Sequence, residues 1–250
     1  MKSVEVIIPA WNEEKNIHRV IDKLLETKSS FAEIRSIIVV DNNSTDNTAD
    51  VALRAGASVV REGKRGYGQA CLTGIANLSK PDVVLFIDGD GSDFPEEWPD
   101  IVKLIADDKC DLVVGSRNLG KAESDALLPQ ARFGNLLATS LMKFIYNSPF
   151  SDLGPFRAIS YEKLEYLQMA DLDFGWTVEM QLKALRYNLR CSEVSVSYRK
   201  RHSGKSKVTG TLTGTFFAAK KILSLVGLEY LYKLKKFFSS NITEQSYAKK

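Results

Sequence analysis

The sequence predicts an α/β fold, a mostly parallel sheet sandwiched by helices. Three observations carry that expectation. Short runs of Val and Ile without polar alternation recur through the first half, and such runs belong to strands buried on both faces. Between them stand segments whose apolar residues follow the helical spacing i, i+3, i+4, i+7. The apolar runs end in polar loops, and in open α/β sheets ligands bind beyond the carboxyl ends of the strands.

Residues 4–9 form the first expected strand. The helix after it carries Ile17, Val20, Ile21, Leu24 and Leu25 on one face, with Asn12 as N-cap and Glu13 and Glu14 at the positive end of its dipole. Residues 36–40 are the second strand, and the polar loop 41–48 leads into a helix stopped by Gly56. Ser58–Arg61 is the third strand, 68–78 a helix and 83–87 the fourth strand. A helix opened by proline covers 95–106, and 112–115 is the fifth strand. Beyond it, Pro129–Tyr146 has Phe133, Leu136, Leu137, Ser140, Leu141, Phe144 and Ile145 at helical spacing. A segment 152–157, a helical stretch over 175–187, a strand over 193–198 and a basic loop over 199–207 follow. The tail from Thr211 is helical and lysine-rich. The expected division is an α/β domain over 1–210 and a basic helical extension with amphipathic helices over 211–250.

The 250 residues are enough for one large domain or two small ones. With 44% hydrophobic and 26% charged residues, disorder and fibrous repeats are excluded. The totals, 34 basic and 31 acidic, do not predict a nucleic-acid partner, but their distribution is uneven. From Arg199 onward there are 12 basic against 2 acidic residues, and before it 22 against 29. An acidic body with a basic tail points to an anionic partner, a phosphate or a membrane surface; the alternative is a solvated tail. Cys71, Cys110 and Cys191 show neither metal spacing nor a disulfide framework and fit a reducing compartment. The N-terminus has no signal-peptide pattern, and the longest apolar candidate, 216–228, is broken by Lys220 and Lys221. The expectation is a cytoplasmic chain whose tail touches the cytoplasmic face of a membrane.

The sharpest motif is Asp88-Gly89-Asp90, directly after Val-Val-Leu-Phe-Ile. Two carboxylates in a glycine turn raise one another's pKa unless a cation shares them, and Mg²⁺ and Mn²⁺ prefer such oxygens alongside substrate phosphates. A calcium loop counted from Asp88 fails, with Asp93 in the glycine place and Pro99 in the glutamate place. Gly63-Lys64-Arg65-Gly66-Tyr67-Gly68 leads from strand to helix, where glycines and a helix N-terminus suit a phosphate. It is neither a P-loop, with Gln69 in the lysine place, nor a dinucleotide fingerprint, with Cys71 in the third glycine place. The loop 41–46, Asp-Asn-Asn-Ser-Thr-Asp, can serve a base or ribose, or equally a helix entry. His18 and His202 lack ligand-spaced partners and read as surface residues.

Together these loops resemble the family 2 glycosyltransferases, which have the GT-A fold. The resembling residues are Ile8-Pro9-Ala10-Trp11-Asn12-Glu13-Glu14, Val40 through Asp46, Gly66-Tyr67-Gly68-Gln69-Ala70, Asp88-Gly89-Asp90-Gly91 with Pro95-Glu96, and Gly115-Ser116-Arg117. Later come Asp152-Leu153-Gly154-Pro155-Phe156-Arg157, Gly175-Trp176-Thr177-Val178-Glu179-Met180, and Arg201 with Gly204-Lys205-Ser206-Lys207. Within the family they look most like the dolichyl- or polyprenyl-phosphate sugar transferases. The resemblance implies a nucleoside-diphosphate sugar, UDP- or GDP-linked, held by Pro9, Ala10, Asn12, Glu13, Asp41, Asn43, Lys64, Gly66, Gly68, Gln69, Asp88, Gly89 and Asp90. It implies Mg²⁺ or Mn²⁺ on Asp88 and Asp90. Ser92 departs from the family's glutamine, which leaves Asp93 or water as the further ligand. Arg117, Arg132 and Arg201 match the places that hold an acceptor phosphate.

The implied chemistry is inverting displacement at the anomeric carbon, with charge developing on the leaving diphosphate. Asp90 serves that charge through the metal. A hydroxyl acceptor needs a carboxylate base; Glu179 stands where the family places it, and Asp152 is the second choice. An anionic lipid phosphate needs little base catalysis, and Glu179 then orients. The acceptor implied first is a polyprenyl phosphate or other lipid-linked group, and a soluble hydroxyl acceptor is the alternative. A nucleotidylyltransferase would need a basic glycine loop after the first strand, where the chain has Pro9-Ala10-Trp11-Asn12-Glu13. A non-catalytic, membrane-associated sugar-nucleotide-binding module would not need the intact Asp88 and Asp90.

Overall fold

A computed structural model describes residues 1–123, 126–127, 129–201, 220–233 and 235. Its elements are β1 (Lys2–Ala10), α1 (Ile17–Glu26), β2 (Ala32–Asp41), α2 (Thr48–Arg54), β3 (Ser58–Arg61), α3 (Tyr67–Ala76), β4 (Val83–Phe86), a 3₁₀ turn (Pro95–Glu97) and α4 (Trp98–Ala106). Then follow β5 (Leu112–Ser116), α5 (Pro129–Tyr146), β6 (Arg157–Ser160), α6 (Tyr161–Leu167), α7 (Trp176–Arg186) and β7 (Cys191–Ser195). Residues 220–233 are also helical. The expected basic loop beyond Arg201 and most of the expected tail lie outside the described residues.

The sheet has seven strands in the order β3-β2-β1-β4-β6-β5-β7. The first four are parallel, as expected, and β5 pairs parallel with β7. Between them β6 runs antiparallel to both β4 and β5. Strand order reverses at β1, so the loops after β1, β2 and β4 meet beyond one edge of the sheet, the place such sheets offer a ligand.

Alternation along the strands divides the core into two layers. Val4, Val6 and Ile8 pack on one side with Ile17, Ile21, Trp98 and Ile101 from α1 and α4. Ile7, Val40 and Phe86 pack on the other with Cys71, Trp176 and Met180 from α3 and α7. Each fully buried side chain of this size contributes about 1.5–3 kcal/mol. A smaller cluster, Met142, Ile145, Val178, Leu182 and Val226, fastens the 220–233 helix to α5 and α7. Among the described residues no helix is long and apolar enough to cross a membrane.

Several boundaries correct the sequence expectations. Asn16, not Asn12, caps α1; Asn12 takes a left-handed φ of 55° and uses its side chain elsewhere. The helix expected at 68–78 begins at Tyr67 and ends at Ala76. The strand expected at 193–198 lies at Cys191–Ser195, because β5 pairs Leu112 with Cys191 and Ser116 with Ser195. The strand β6 and the helix α6 were not anticipated.

Candidate active site

The loops beyond β1, β2 and β4 enclose a cavity of about 330 Å³. The end of β1 supplies Pro9, Ala10, Trp11 and Glu13, and β2 supplies Asn42. The turn into α3 supplies Arg65, Gly66, Tyr67 and Ala70, and the end of β4 supplies Asp88, Gly89 and Asp90. Asp173, Phe174 and Arg201 complete the wall from farther along the chain. On one side the Arg65 guanidinium lies 4.0 Å above the Trp11 ring, a stacking that desolvated cations favour.

Backbone and side chain lock these loops to one another. The Asn42 amide donates to the Lys64 and Glu62 carbonyls at 2.6 and 3.3 Å, and its oxygen accepts the Gly66 N–H at 2.9 Å. Asn12 accepts the Thr45 N–H at 2.8 Å and donates its own N–H to the Ser44 hydroxyl at 2.9 Å. The turn into α3 is pressed against backbone. A Cβ on Gly68 would stand 2.0 Å from the Asp171 carbonyl oxygen, and Gly66, at φ 149°, would meet the Leu172 carbonyl at 2.2 Å. Only glycine allows this approach, and the Gln69 N–H donates to Leu172 O at 2.8 Å.

The 170–175 segment is held in turn by two carboxylates. Glu179 accepts the N–H groups of Ala170 and Asp171, the latter at 2.8 Å, and pairs with Lys183 at 2.8 Å. Asp171 accepts the N–H groups of Asp173 and Gly175 and pairs with Lys221 of the 220–233 helix at 2.8 Å. Through this chain of contacts Glu179 sets the wall of the cavity without lining it.

Negative charge gathers at the end of β4. Asp90 accepts the Ser92 N–H at 2.8 Å and pairs with Arg201 at 2.6 Å, and Arg201 also reaches Glu13 at 3.3 Å. Tyr67 donates its hydroxyl to Asp88 at 3.0 Å. Burial first and Asp90 second push the Asp88 carboxyl well above the usual carboxylate range. Burial, then Asp88 and Asp90, does the same to Asp93. Asp93 is 1% exposed, and neither of its carboxylate oxygens has a hydrogen-bond partner. The cluster therefore lacks positive charge, and the guanidinium of Arg201 supplies part of it. Among the described residues no three His, Cys, Asp or Glu side chains are set to enclose an ion. The donor chemistry instead fits a hard cation held by one or two carboxylates and shared with substrate phosphates and water.

The residues expected from the sequence fall into three groups. Pro9, Ala10, Glu13, Gly66, Asp88, Gly89, Asp90 and Arg201 line the cavity. Asp41 and Asn43 line a neighbouring cavity of about 260 Å³ with Ser44 and Asp46, while Asn12, Lys64, Gly68 and Gln69 brace the loops. The third group lies off the cavity. Asp152 does not offer the free carboxylate expected of a base. It is fully buried, and Arg117 donates to it from Nε at 2.8 Å, Nη2 at 2.7 Å and the backbone N–H at 2.8 Å. This partner holds the carboxyl below its ordinary value although burial acts the other way. The same pairing, with Tyr198 stacked 5.0 Å from its guanidinium, occupies Arg117, expected to grip an acceptor. Arg132 is exposed on α5. Glu179 is committed to the 170–171 backbone and not free as a base.

Trp11, Asn42, Arg65, Tyr67 and Ala70 line the cavity from within the motifs but were not among the residues expected to hold the nucleotide sugar, and Asp173 and Phe174 stand in no motif. For the first five, the motifs were the available signal. Asp173 and Phe174 reach the cavity only through the contacts of Glu179 and Asp171.

The description "Glycosyl transferase family 2" matches residues 5–167. An uncharacterized glycosyltransferase of Mycobacterium tuberculosis (strain ATCC 25618 / H37Rv) is 36% identical over 219 residues, covering 86% of this chain and 94% of the relative. Glycosyltransferase AglJ of Haloferax volcanii is 28% identical over 205 residues, covering 81% of this chain and 65% of the relative. Among solved structures, glucosyl-3-phosphoglycerate synthase from Mycobacterium tuberculosis in complex with Mn²⁺, UDP-glucose and phosphoglyceric acid superposes with a TM-score of 0.70 at 24% identity. It covers 90% of this chain and 80% of its own. The matched region takes in β1 to β4 and every strand-end loop of the cavity, and the chain is a glycosyltransferase that belongs to glycosyl transferase family 2, with the GT-A fold.

Proposed function

We propose that the protein transfers a sugar from a UDP-sugar, with Mg²⁺ or Mn²⁺, to the hydroxyl of a soluble, anionic acceptor. The observation that carries this reading is the convergence of Pro9–Glu13, Gly66–Tyr67 and Asp88–Asp90 on one cavity with unmet negative charge. The ligands named for the synthase, UDP-glucose, Mn²⁺ and phosphoglyceric acid, support the same donor, metal and acceptor classes. Asp88 and Asp90 would hold the metal. When bound there it supplies Lewis-acid stabilisation of the departing diphosphate.

The chain's own residues do the rest. Trp11 and Arg65 form one wall for the nucleoside, and Tyr67 orients the Asp88 carboxylate. Arg201, which pairs with Asp90 and Glu13 at the cavity, would give its charge to diphosphate or acceptor with a metal held on Asp90. Two cavity carboxylates lie outside the β4 cluster, Glu13, which is bonded to Asn16 and Arg201, and Asp173; burial first, then Asp171, raises the pKa of Asp173. Greater basicity suits it to take the acceptor hydroxyl proton as the anomeric bond forms.

A second reading, a polyprenyl phosphate or other lipid-linked acceptor at a membrane surface, is favoured by one observation. The outer faces of α5 and the 220–233 helix are apolar and carry only positive charge. The experiment is a thermal-stability panel of UDP- and GDP-sugars with and without Mn²⁺, followed by product detection with small phosphorylated hydroxy acids and with polyprenyl phosphate. A donor at 100 times its Kd stabilises the fold by about 2.7 kcal/mol. The expected result is a shift with one UDP-sugar plus Mn²⁺, and glycosylated hydroxy acid as product. No shift with any donor, with or without metal, overturns the reading.

A further inference from the structure

The α5 helix has two apolar faces. Ala138, Met142 and Ile145 turn inward. Phe133, Leu136 and Phe144 lie on the opposite arc, and Phe144 is 77% exposed. The 220–233 helix repeats the pattern. Val226 is buried against α5 and α7, while Leu228 and Leu231 lie on the opposite arc and Leu223 on the flank, all three exposed. The two helices meet where the Phe144 and Tyr230 rings stand 6.4 Å apart, so their outer faces join into one surface. Exposed apolar side chains on the other elements stand singly, such as Leu53 and Leu119, or as the one stacked pair Tyr166 and Tyr187, and scattered ones need no partner.

The charge on this surface has one sign. Residues 129–146 contain Arg132 and Lys143 and no acid. Residues 220–235 contain Lys220, Lys221, Lys233 and Lys235, and their one acid, Glu229, is buried and bonded to Arg186 and Tyr146. Lys221 is turned to Asp171 and Lys233 to the Ile145 carbonyl, which leaves Lys143 and Lys220 among the exposed side chains of the rim. Exposed apolar side chains between cations, with tyrosines at the border, match the boundary of an anionic bilayer.

We propose that the outer faces of α5 and the 220–233 helix form a docking surface for an anionic lipid bilayer. Phe133, Leu136, Phe144, Leu228 and Leu231 enter the headgroup region and the lysines contact lipid phosphates. The Lys221–Asp171 pair ties this surface to the segment that carries Asp173 and Phe174 into the cavity, so docking orients the cavity relative to the bilayer. This inference goes beyond sugar transfer. It is read without donor or acceptor, so its failure leaves the assignment of the cavity intact.

The test is co-sedimentation of the full chain with vesicles of phosphatidylcholine alone or with phosphatidylserine, at low and high salt. It compares the wild type with Phe144→Glu/Leu231→Glu and with Lys143→Gln/Lys220→Gln. Circular dichroism and thermal melting check that each variant folds. Each lysine near an anionic leaflet contributes roughly fivefold, so the lysine pair lowers partitioning about 25-fold on anionic vesicles. The apolar pair lowers it on both lipid compositions, and salt weakens only the charge-dependent part. Wild-type protein left in the supernatant with every vesicle overturns the proposal. So does a folded apolar variant that binds as the wild type does. A concentration-dependent dimer abolished by the apolar pair, with no vesicle binding, assigns the surface to a second copy and also overturns it.

Discussion

The two sides of the sheet use polar residues in opposite ways. On the β1–β4 side, polar side chains at the strand ends hold loops open around a cavity, and charge stays unmet. Asp88, Asp90 and Asp93 crowd together, with Arg201 paired to Asp90 and the Arg117 charge acting on Asp88 and Asp93. On the β5–β7 side, charge is cancelled inside the protein. Arg117 and Asp152 form a buried bidentate pair, and Arg157, fully buried on β6, donates to the carbonyls of Leu153, Gly154 and Thr177. The outer faces of α5 and the 220–233 helix on that side are apolar. A site that must bind a charged ligand keeps its electrostatic deficit, whereas a scaffold removes its own.

The contrast breaks most sharply at Asp152. Asp152→Asn leaves the Arg117 guanidinium buried without its counter-charge, and removal of one partner from a buried pair costs about 3–5 kcal/mol. Urea unfolding at neutral pH should show a loss of that size. The folded pKa of Asp152 lies below its unfolded value. Its contribution is therefore complete above the unfolded value of about 3.9 and is lost as pH falls through the folded one. The wild-type advantage should accordingly shrink in acid. An undiminished gap at acid pH would remove the ion pair as its cause.

Asp173 and Glu179 separate a group in the cavity from one that positions it. Asp173→Asn should lower kcat about 10²–10⁴-fold at nearly unchanged donor affinity if a hydroxyl proton is taken there. Glu179→Gln keeps a hydrogen-bond acceptor for the 170–171 backbone but loses the Lys183 pair. It should raise the donor KM and lower stability modestly, with kcat little changed. The reverse pattern would return the base to Glu179.

Asn42→Ala is the mildest of these changes. It removes the partner of the half-buried Gly66 N–H and of the Lys64 carbonyl, whose residue is exposed, so water recovers part of the loss and the net cost is about 1 kcal/mol. The turn at Gly66 loosens, and donor affinity should fall about tenfold with the melting temperature lowered by only a few degrees. Wild-type donor affinity in this variant would show that the turn is held by Gly68 and Leu172 alone.

The parallel half of the fold was legible because its signals are local. Val-rich runs, helical spacing and the stop at Gly56, whose φ is 95°, each lie within a few residues of the element they define. The strand β6 was not legible. Arg157–Ser160 is four residues long, opens with a charged side chain, and owes its strand state to antiparallel partners on β4 and β5. The register of β7 likewise comes from β5. At the site, the acidic turn after β4 announced itself, because paired aspartates after a buried strand are costly without a cation. The role of Asp152 did not, since nothing local in Asp152-Leu153-Gly154 reveals that Arg117 fills its carboxylate. Asp173 was hidden for the same reason, its place in the cavity being set by Glu179, Asp171 and Lys221.

On the proposed function, the unmet charge at the end of β4 seats a metal-bound nucleoside diphosphate. Titration calorimetry of UDP into the wild type and Asp90→Ala, with and without Mn²⁺, tests it most directly. Binding to the wild type should depend on Mn²⁺ and be lost in Asp90→Ala, while the variant's melting temperature is retained. Wild-type affinity in Asp90→Ala, or equal binding with and without the metal, would contradict it.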